Sequence, residues 1–418
     1  MTGIRSCEVG GGAGKAWPRQ LEHPQAVHMA GIDGCECVAR MVAAGGQHTL
    51  VAIERRGLQC VSNNGAHAPA ARGMELWAAG DSTRGALGSP PMARRSMSRG
   101  LCGVEVVDLR GARVRSLAAG ASHSLAVLEP GGVLHAWGRN TYGACGVDVA
   151  AMDSEGNVCT PTKVQHCTFA EGQVPSALPA VACVVAGSDH SCTITEDGQL
   201  YTCGRADSGQ CGHTVAQSFT SSGVSGAYRH MWQTDKRQIR GCGMLTLVPP
   251  PDGSSKPWAA QVAAGSSHTV LLDCNGRVFA SGSGAHGQCG VGLGPDGRAT
   301  VQSMHEVHIG ARARIVQVAC GADHSMVRAA DGSLYAWGSN HFGQLGLHRA
   351  FHDDVATVDV LQPTQLPRKV LVRAPSTVAA ASADVDGCAS DGAKFEGVGA
   401  VLIALGDDFS FLARIHES

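Results

Sequence analysis

A phrase of 13 residues recurs five times in this chain without a gap, and no other feature limits its possible folds as much. It reads LWAAGDSTRGALG from Leu76, LHAWGRNTYGACG from Leu134, LYTCGRADSGQCG from Leu200, VFASGSGAHGQCG from Val278 and LYAWGSNHFGQLG from Leu334. Three glycines keep their places in every copy, among them Gly80, Gly138, Gly204, Gly282 and Gly338. A shorter phrase precedes each one: AAGGQHTL from Ala43, AAGASHSL from Ala118, VAGSDHSC from Val185, AAGSSHTV from Ala263 and ACGADHSM from Ala319. It sets His48, His123, His190, His268 and His324 three residues after a glycine. The two phrases lie 13 or 14 residues apart in four units and 31 in the first, where Arg56 to Gly73 reads as an insertion lengthening a hairpin loop. The longer phrases start 58, 66, 78 and 56 residues apart, and self-similarity at such a period indicates blades or arrays.

The copy from Gly321 to Gly346 shows what a unit contains. His324 to Ala329 is short and mostly apolar, and Leu334 to Trp337 is a second strand candidate. Asp331-Gly332 between them is a turn signal, because glycine accepts the positive φ of tight hairpin turns. Short strands need many turns, in keeping with 56 glycines among 418 residues. The apolar place before the last glycine holds Leu87, Cys145, Cys211, Cys289 and Leu345. Cysteine that alternates with leucine acts as a small buried hydrophobe.

Together the phrases resemble the repeat of the regulator of chromosome condensation family, a Gly-x-x-His-[Ser/Thr] half followed by a Leu-x-x-[Trp]-Gly-x-x-x-x-Gly-[Gln]-[Leu]-Gly half. The resemblance covers most of Ala43 to Gly346. It implies an all-β fold, a β-propeller of six or seven blades, each a four-stranded sheet. A sixth copy is blurred. One reading takes Val378 to Gly387 and Leu402 to Phe411 as its halves, and spacing favours it. The other takes Ala404 to Ala413 as a first half with Phe409 in the histidine place, completed by the start of the chain. Residues 1–40 then read as a leader, with a ring-closing strand as one option. Residues 41–418 read as one propeller with units near 74–130, 131–197, 198–275, 276–331 and 332–418, and a long insertion over 213–258.

Composition narrows the classes of function. Only 16% of residues are charged and the formal net charge is −2, which argues against a nucleic-acid-binding body. Seventeen cysteines include no CxxC pair, and Cys35-Glu36-Cys37 is the one close couple. That usage indicates an intracellular, reduced protein without a zinc site. The start, MTGIRSCEVGGGAGK, lacks the apolar core of a signal peptide. The longest apolar run, Val174 to Gly187, is too short to span a bilayer and holds Pro175 and Pro179. The expectation is a soluble protein of the cytoplasm or nucleus, neither secreted nor membrane-bound.

No catalytic, metal or cofactor site emerges. One histidine per blade puts the five in equivalent places around a ring, whereas a metal needs ligands about one centre. Each imidazole is expected to satisfy backbone groups of its own or the next blade. Gly282 to Gly287 spells GxGxxG, but sister repeats hold WGRNTYG and WGSNHFG in its place, so it is repeat text. Gly14-Lys15 is followed by Ala16, not the Ser or Thr of a phosphate loop.

The variable segments are better candidates, since unequal loops carry function in repeat proteins. Ser89 to Arg99 reads as a link between blades whose Arg94, Arg95 and Arg99 form a solvated loop or a patch for an acidic partner. Ala151 to Pro179 reads as another connector. His213 to Lys256 carries Tyr228, Arg229, Trp232, Lys236, Arg237 and Arg240, aromatic and basic residues of the kind that anchor partners. The expected function is a non-enzymatic scaffold for a protein partner. The resemblance also implies an alternative, guanine-nucleotide exchange on a Ran-type small GTPase, although no exchange wedge maps onto this chain residue by residue. A third branch of the family senses light through clustered tryptophans, and this chain has six in all.

Overall fold

The computed structural model describes residues 36–56, 74–88, 97–103, 112–147, 151–169, 175–213, 241–253, 256–292, 300–311, 313–347, 364–370, 401–405 and 410–414. Every regular element among them is a strand, and the strands fall into successive sheets in chain order, antiparallel but for one pair in the third. The first sheet holds β1 (Glu36–Ala44), β2 (His48–Arg56), β3 (Met74–Asp81) and β4 (Met97–Gly103). The second holds β5 (Arg113–Ala119), β6 (His123–Glu129), β7 (Val133–Arg139) and β8 (Asn157–Lys163).

Next in the chain come β9 (His166–Thr168) and β10 (Ser176–Ala177), then β11 (Val181–Ala186), β12 (His190–Thr195), β13 (Leu200–Arg205) and β14 (Gly241–Val248). These six form the third sheet, in the order β10-β9-β14-β13-β12-β11. The fourth is β15 (Ala259–Ala264), β16 (His268–Asp273), β17 (Val278–Ser283) and β18 (Thr300–Val307). The fifth is β19 (Ile315–Cys320), β20 (His324–Ala329), β21 (Leu334–Gly338) and β22 (Thr364–Val370). A last pair, β23 (Val401–Leu405) and β24 (Ser410–Arg414), follows.

First strands touch first strands around the set: β1 meets β5, β5 meets β11, β11 meets β15, β15 meets β19, and β19 meets β23. Sheets that meet in turn through their innermost strands are the blades of a propeller. The second strand of each blade is sandwiched between neighbouring sheets, which explains why it is buried on both sides, its polar residues included. Every residue of β12 and of β16 is buried. Leu125, Ala126, Val127, Trp137, Val184 and Cys203 belong to one apolar core that runs through blades one to three.

The glycine of the Trp-Gly position has a local cause. In each blade the ladder between third and fourth strands shifts register at that glycine, as between Ala136 and Gly138. Gly138 has φ +101° there, and a Cβ on it would lie 2.6 Å from the Ser122 carbonyl oxygen and 2.7 Å from His123 Cα. Any side chain would strike the preceding strand, so all five copies keep glycine.

The pairing corrects several sequence boundaries. The fold begins each blade on the glycine–histidine half, so units counted from the second half straddle two sheets. β1 starts at Glu36, inside the leader expected over 1–40. Ser89 to Arg99 is not a link between blades, because it leads into β4, the fourth strand of the same blade. The connector at Ala151 to Pro179 contains β8, β9 and β10. The long insertion is shorter than expected, because β14 lies inside it and pairs with β13, Leu200 opposite Val248. The alternation of short turn residues and apolar positions in GCGMLTLV hid that strand. Finally, Leu405 pairs with Ser410 as Ala44 pairs with Thr49. The last pair thus occupies the place of a first half, which follows the second reading of the blurred copy and not the one that spacing favoured.

Candidate functional site

Four of the five histidines, His48, His123, His190 and His268, form a belt between blades. His48 Nε2 lies 2.7 Å from Ser124 Oγ, His123 Nε2 2.9 Å from Ser191 Oγ, His190 Nε2 2.9 Å from Thr269 Oγ1, and His268 Nε2 2.9 Å from Ser325 Oγ. Each hydroxyl belongs to the next blade and donates back to a carbonyl of the histidine's own blade: Ser124 to Ala86, Ser191 to Ala144, Thr269 to Gln210 and Ser325 to Gln288. A hydroxyl has one proton, so it accepts from the imidazole, which fixes Nε2–H as the tautomer. The sequence expectation that each imidazole satisfies backbone groups of its own or the next blade is corrected for these four. A hydroxyl stands between, because the Ser or Thr that follows each histidine is turned toward the preceding blade.

Burial holds these imidazoles neutral. It lowers the pKa of His48, His190 and His324 to about 4 and of His123 and His268 to about 3. Each of the four bridging histidines serves a different pair of blades, so the arrangement fits a structural belt. The repeat cysteines are likewise buried, Cys145 at 1% and Cys211 at 0% exposure, and burial pushes the Cys289 thiol up to about 12.

The reactive-looking surface lies elsewhere, on loops joining third to fourth strands. The residue after each fixed glycine is tied to the residue before the histidine, as Arg205 N donates to the Asp189 carbonyl at 2.8 Å and Arg139 N to Ser122 at 2.8 Å. Where the repeat has its glutamine, the side chain closes the loop: Gln210 Oε1 accepts from Ser208 N, Gln288 Oε1 from His286 N and Gln344 Oε1 from Phe342 N, each at 2.9 Å. A hydrogen-bonded loop base thus carries four variable residues between two fixed glycines, of which the second is buried, as at Asn140 and Asn340.

Two clusters result, each crossing a blade boundary. The Tyr142 ring sits beside both Arg139 and Arg205, whose guanidinium carbons lie 5.2 and 5.4 Å from its centroid. Arg205 also bonds Asp207 at 2.7 Å, and Asp189 stands 3.7 Å from Arg139 and 3.9 Å from Arg205. Two blades on, His286 and His341 stack edge to face at 5.9 Å, beside Phe342, which is 74% exposed. Sequence reading passed over these residues because it looked for what repeats. The signal was in what does not, namely RNTY, RADS, SGAH and SNHF between fixed glycines.

The candidate residues Tyr228, Arg229, Trp232, Lys236, Arg237 and Arg240 lie outside the described residues. Their segment leaves the third blade after His213 and returns at Gly241, which pairs with Arg205. The sequence motif Gly282 to Gly287 falls at the end of β17 and in the loop after it. Among the described residues no group of three or more His, Cys, Asp or Glu could hold a metal ion, and no helix is long and apolar enough to cross a membrane.

The regulator of chromosome condensation (RCC1) repeat matches this chain over residues 131–194, 275–328 and 331–384, and a second form of the same repeat matches 114–144, 181–210, 259–288 and 315–344. The chain belongs to the RCC1 repeat family. It is 28% identical over 352 residues to the ultraviolet-B receptor UVR8 of Arabidopsis thaliana, a match covering 78% of this chain and 70% of the receptor. It is 25% identical to the secretion-regulating guanine nucleotide exchange factor of Bos taurus, over 52% of this chain and 38% of that protein. Among solved structures, yeast RCC1 (Prp20) bound to Kap60 superposes with a TM-score of 0.53 at 20% identity, covering 88% of this chain and 65% of that one. These relatives share the RCC1 β-propeller and differ in what their names say they do.

Proposed function

We propose that this RCC1-repeat protein is a non-enzymatic scaffold that holds a protein partner on the face built from the third-to-fourth-strand loops. The observation that carries this reading is the convergence of Tyr142, Arg139 and Arg205 from adjacent blades, on a loop base fixed by backbone hydrogen bonds. Tyrosine and arginine dominate the energetics of protein interfaces. Tyr228, Arg229, Trp232, Lys236, Arg237 and Arg240 belong to the same class of connection in the third blade and extend the same reading. The test is affinity capture from native extract with three baits: the full chain, the chain lacking residues 214–240, and Tyr142→Ala with Phe342→Ser. Partners held by the full chain and lost with either variant support the scaffold. Partners retained by both overturn it.

The second reading is exchange of guanine nucleotide on a Ran-type small GTPase, favoured by the family and by the bovine relative. It predicts that catalytic amounts of the chain speed release of labelled GDP from such a GTPase. No acceleration at a large molar excess removes it.

A further inference from the structure

The fold sets the fourth variable residue of one third-to-fourth-strand loop near the third variable residue of the next. At the boundary of blades two and three these places hold Tyr142 and Asp207, gathered about Arg205. At the boundary of blades four and five the same two places hold His286 and His341. Their rings meet edge to face, with centroids 5.9 Å apart and planes at 86°. Two imidazoles from different blades thus share one spot on the surface.

These histidines differ from those of the belt, which are buried and bound through Nε2 to a hydroxyl. His286 is half-buried and His341 exposed. Neither ring makes a hydrogen bond or ion pair among the described residues. The backbone beneath them is held, because His286 N donates to Gln288 Oε1 and Phe342 N, next to His341, donates to Gln344 Oε1, each at 2.9 Å. An imidazole binds a metal through nitrogen at about 2.0–2.1 Å, which puts its ring centre about 3.2 Å from the ion. Two such rings on one ion have centres about 5.2 Å apart at a tetrahedral angle and about 6.4 Å apart in line. The observed 5.9 Å lies between these limits. The χ2 torsion of histidine has a broad minimum, so the exposed His341 ring can turn a nitrogen toward the same point as His286 without a backbone shift.

We infer that His286 and His341 form a binding site for a divalent transition metal, with one ligand from each of blades four and five. Imidazole nitrogen suits zinc, nickel and copper, with copper bound most tightly, whereas calcium and magnesium take oxygen ligands. Among the described residues no third His, Cys, Asp or Glu joins the pair, so water fills the remaining positions and the site is an open one. A bound ion ties the two loops across the blade boundary. The inference needs no partner and does not rest on the scaffold reading.

The test uses the full chain stripped of metal by a chelator. Zn²⁺ is titrated by calorimetry, and Cu²⁺ is followed by electron paramagnetic resonance. The expected result is one equivalent whose copper signal reports two nitrogen ligands. His286→Gln and His341→Gln should each weaken that equivalent by about tenfold or more, since even the groups behind a metal ligand are worth that much. Both are surface changes and should leave the thermal midpoint of the metal-free chain unchanged. Zn²⁺ should raise the midpoint of the full chain and of neither variant, because only the full chain binds it when folded. Oxidation with Cu²⁺ and ascorbate, read by peptide mass spectrometry, should mark His286 and His341 together. Three results overturn the proposal: no saturable equivalent, equal affinity in the two variants, or copper-driven oxidation that spares both histidines.

Discussion

His123 of the second blade donates through Nε2 to Ser191 Oγ of the third at 2.9 Å, and the Ser191 hydroxyl donates in turn to the Ala144 carbonyl, back in the second blade, at 2.7 Å. The bond crosses the boundary twice, so the two sheets cannot separate without exposing an N–H and a carbonyl that are both buried.

Ser191→Ala should therefore cost more than one hydrogen bond. It leaves the His123 N–H unpaired in a dry interface, a loss of about 2 kcal/mol. Ser191→Thr should be nearly neutral, since Thr269 fills the same place against His190. Urea unfolding of the three proteins checks the order.

Acid should destabilise the belt. The folded pKa values of the five histidines are about 3 or about 4, below the ordinary 6.5. The unfolded chain takes up protons below 6.5 while the folded chain does not, so stability is fully present above that value and is lost as pH falls toward 4. Each histidine contributes about 2 kcal/mol of loss between pH 7 and pH 5. Five together rival the whole stability of a domain, about 5–15 kcal/mol. Urea midpoints across this range should drop steeply, and His268→Gln should flatten the dependence.

Gly187→Ala should be far worse than Gly332→Ala. A Cβ on Gly187 would fall well inside contact distance of both His190 Cε1 and the Gly265 carbonyl, whereas one on Gly332 meets nothing within 4 Å. The first substitution should cost about 3 kcal/mol or more through overpacking. The second should cost roughly 1–2 kcal/mol, from its φ of +82° alone. Differential scanning calorimetry separates them.

Thiol chemistry should follow burial. Cys145, Cys192, Cys203, Cys211 and Cys289 are buried, with pKa values raised by desolvation, while Cys274 is exposed. Among these six, brief iodoacetamide treatment of the native protein should modify Cys274 first, as read by peptide mass spectrometry, and the others only after unfolding.

The fold was legible because its constraints repeat. The fixed glycines, the histidine followed by Ser or Thr, and the Asp331-Gly332 turn each serve one local geometry, so five copies report it five times. Fourth strands were harder to see. β8, β14 and β22 share no common text, since an outer strand packs on one side only and tolerates many residues there. The loop clusters were harder still. Arg139 and Arg205 hold equivalent repeat positions but Tyr142 joins them only because adjacent blades bring the loops together, which no spacing along the chain encodes. The belt was half legible: the histidines stood out, while the hydroxyl on the next blade lies as many as 79 residues away, as from His190 to Thr269.

The parallel seam between β9 and β14 gives this protein a property of split proteins. A cut anywhere in 214–240 would leave β14 on the C-terminal fragment, held between β13 and β9 of the N-terminal one. The two fragments therefore carry complementary halves of one sheet, and the third blade is where this chain could be divided and still reassemble.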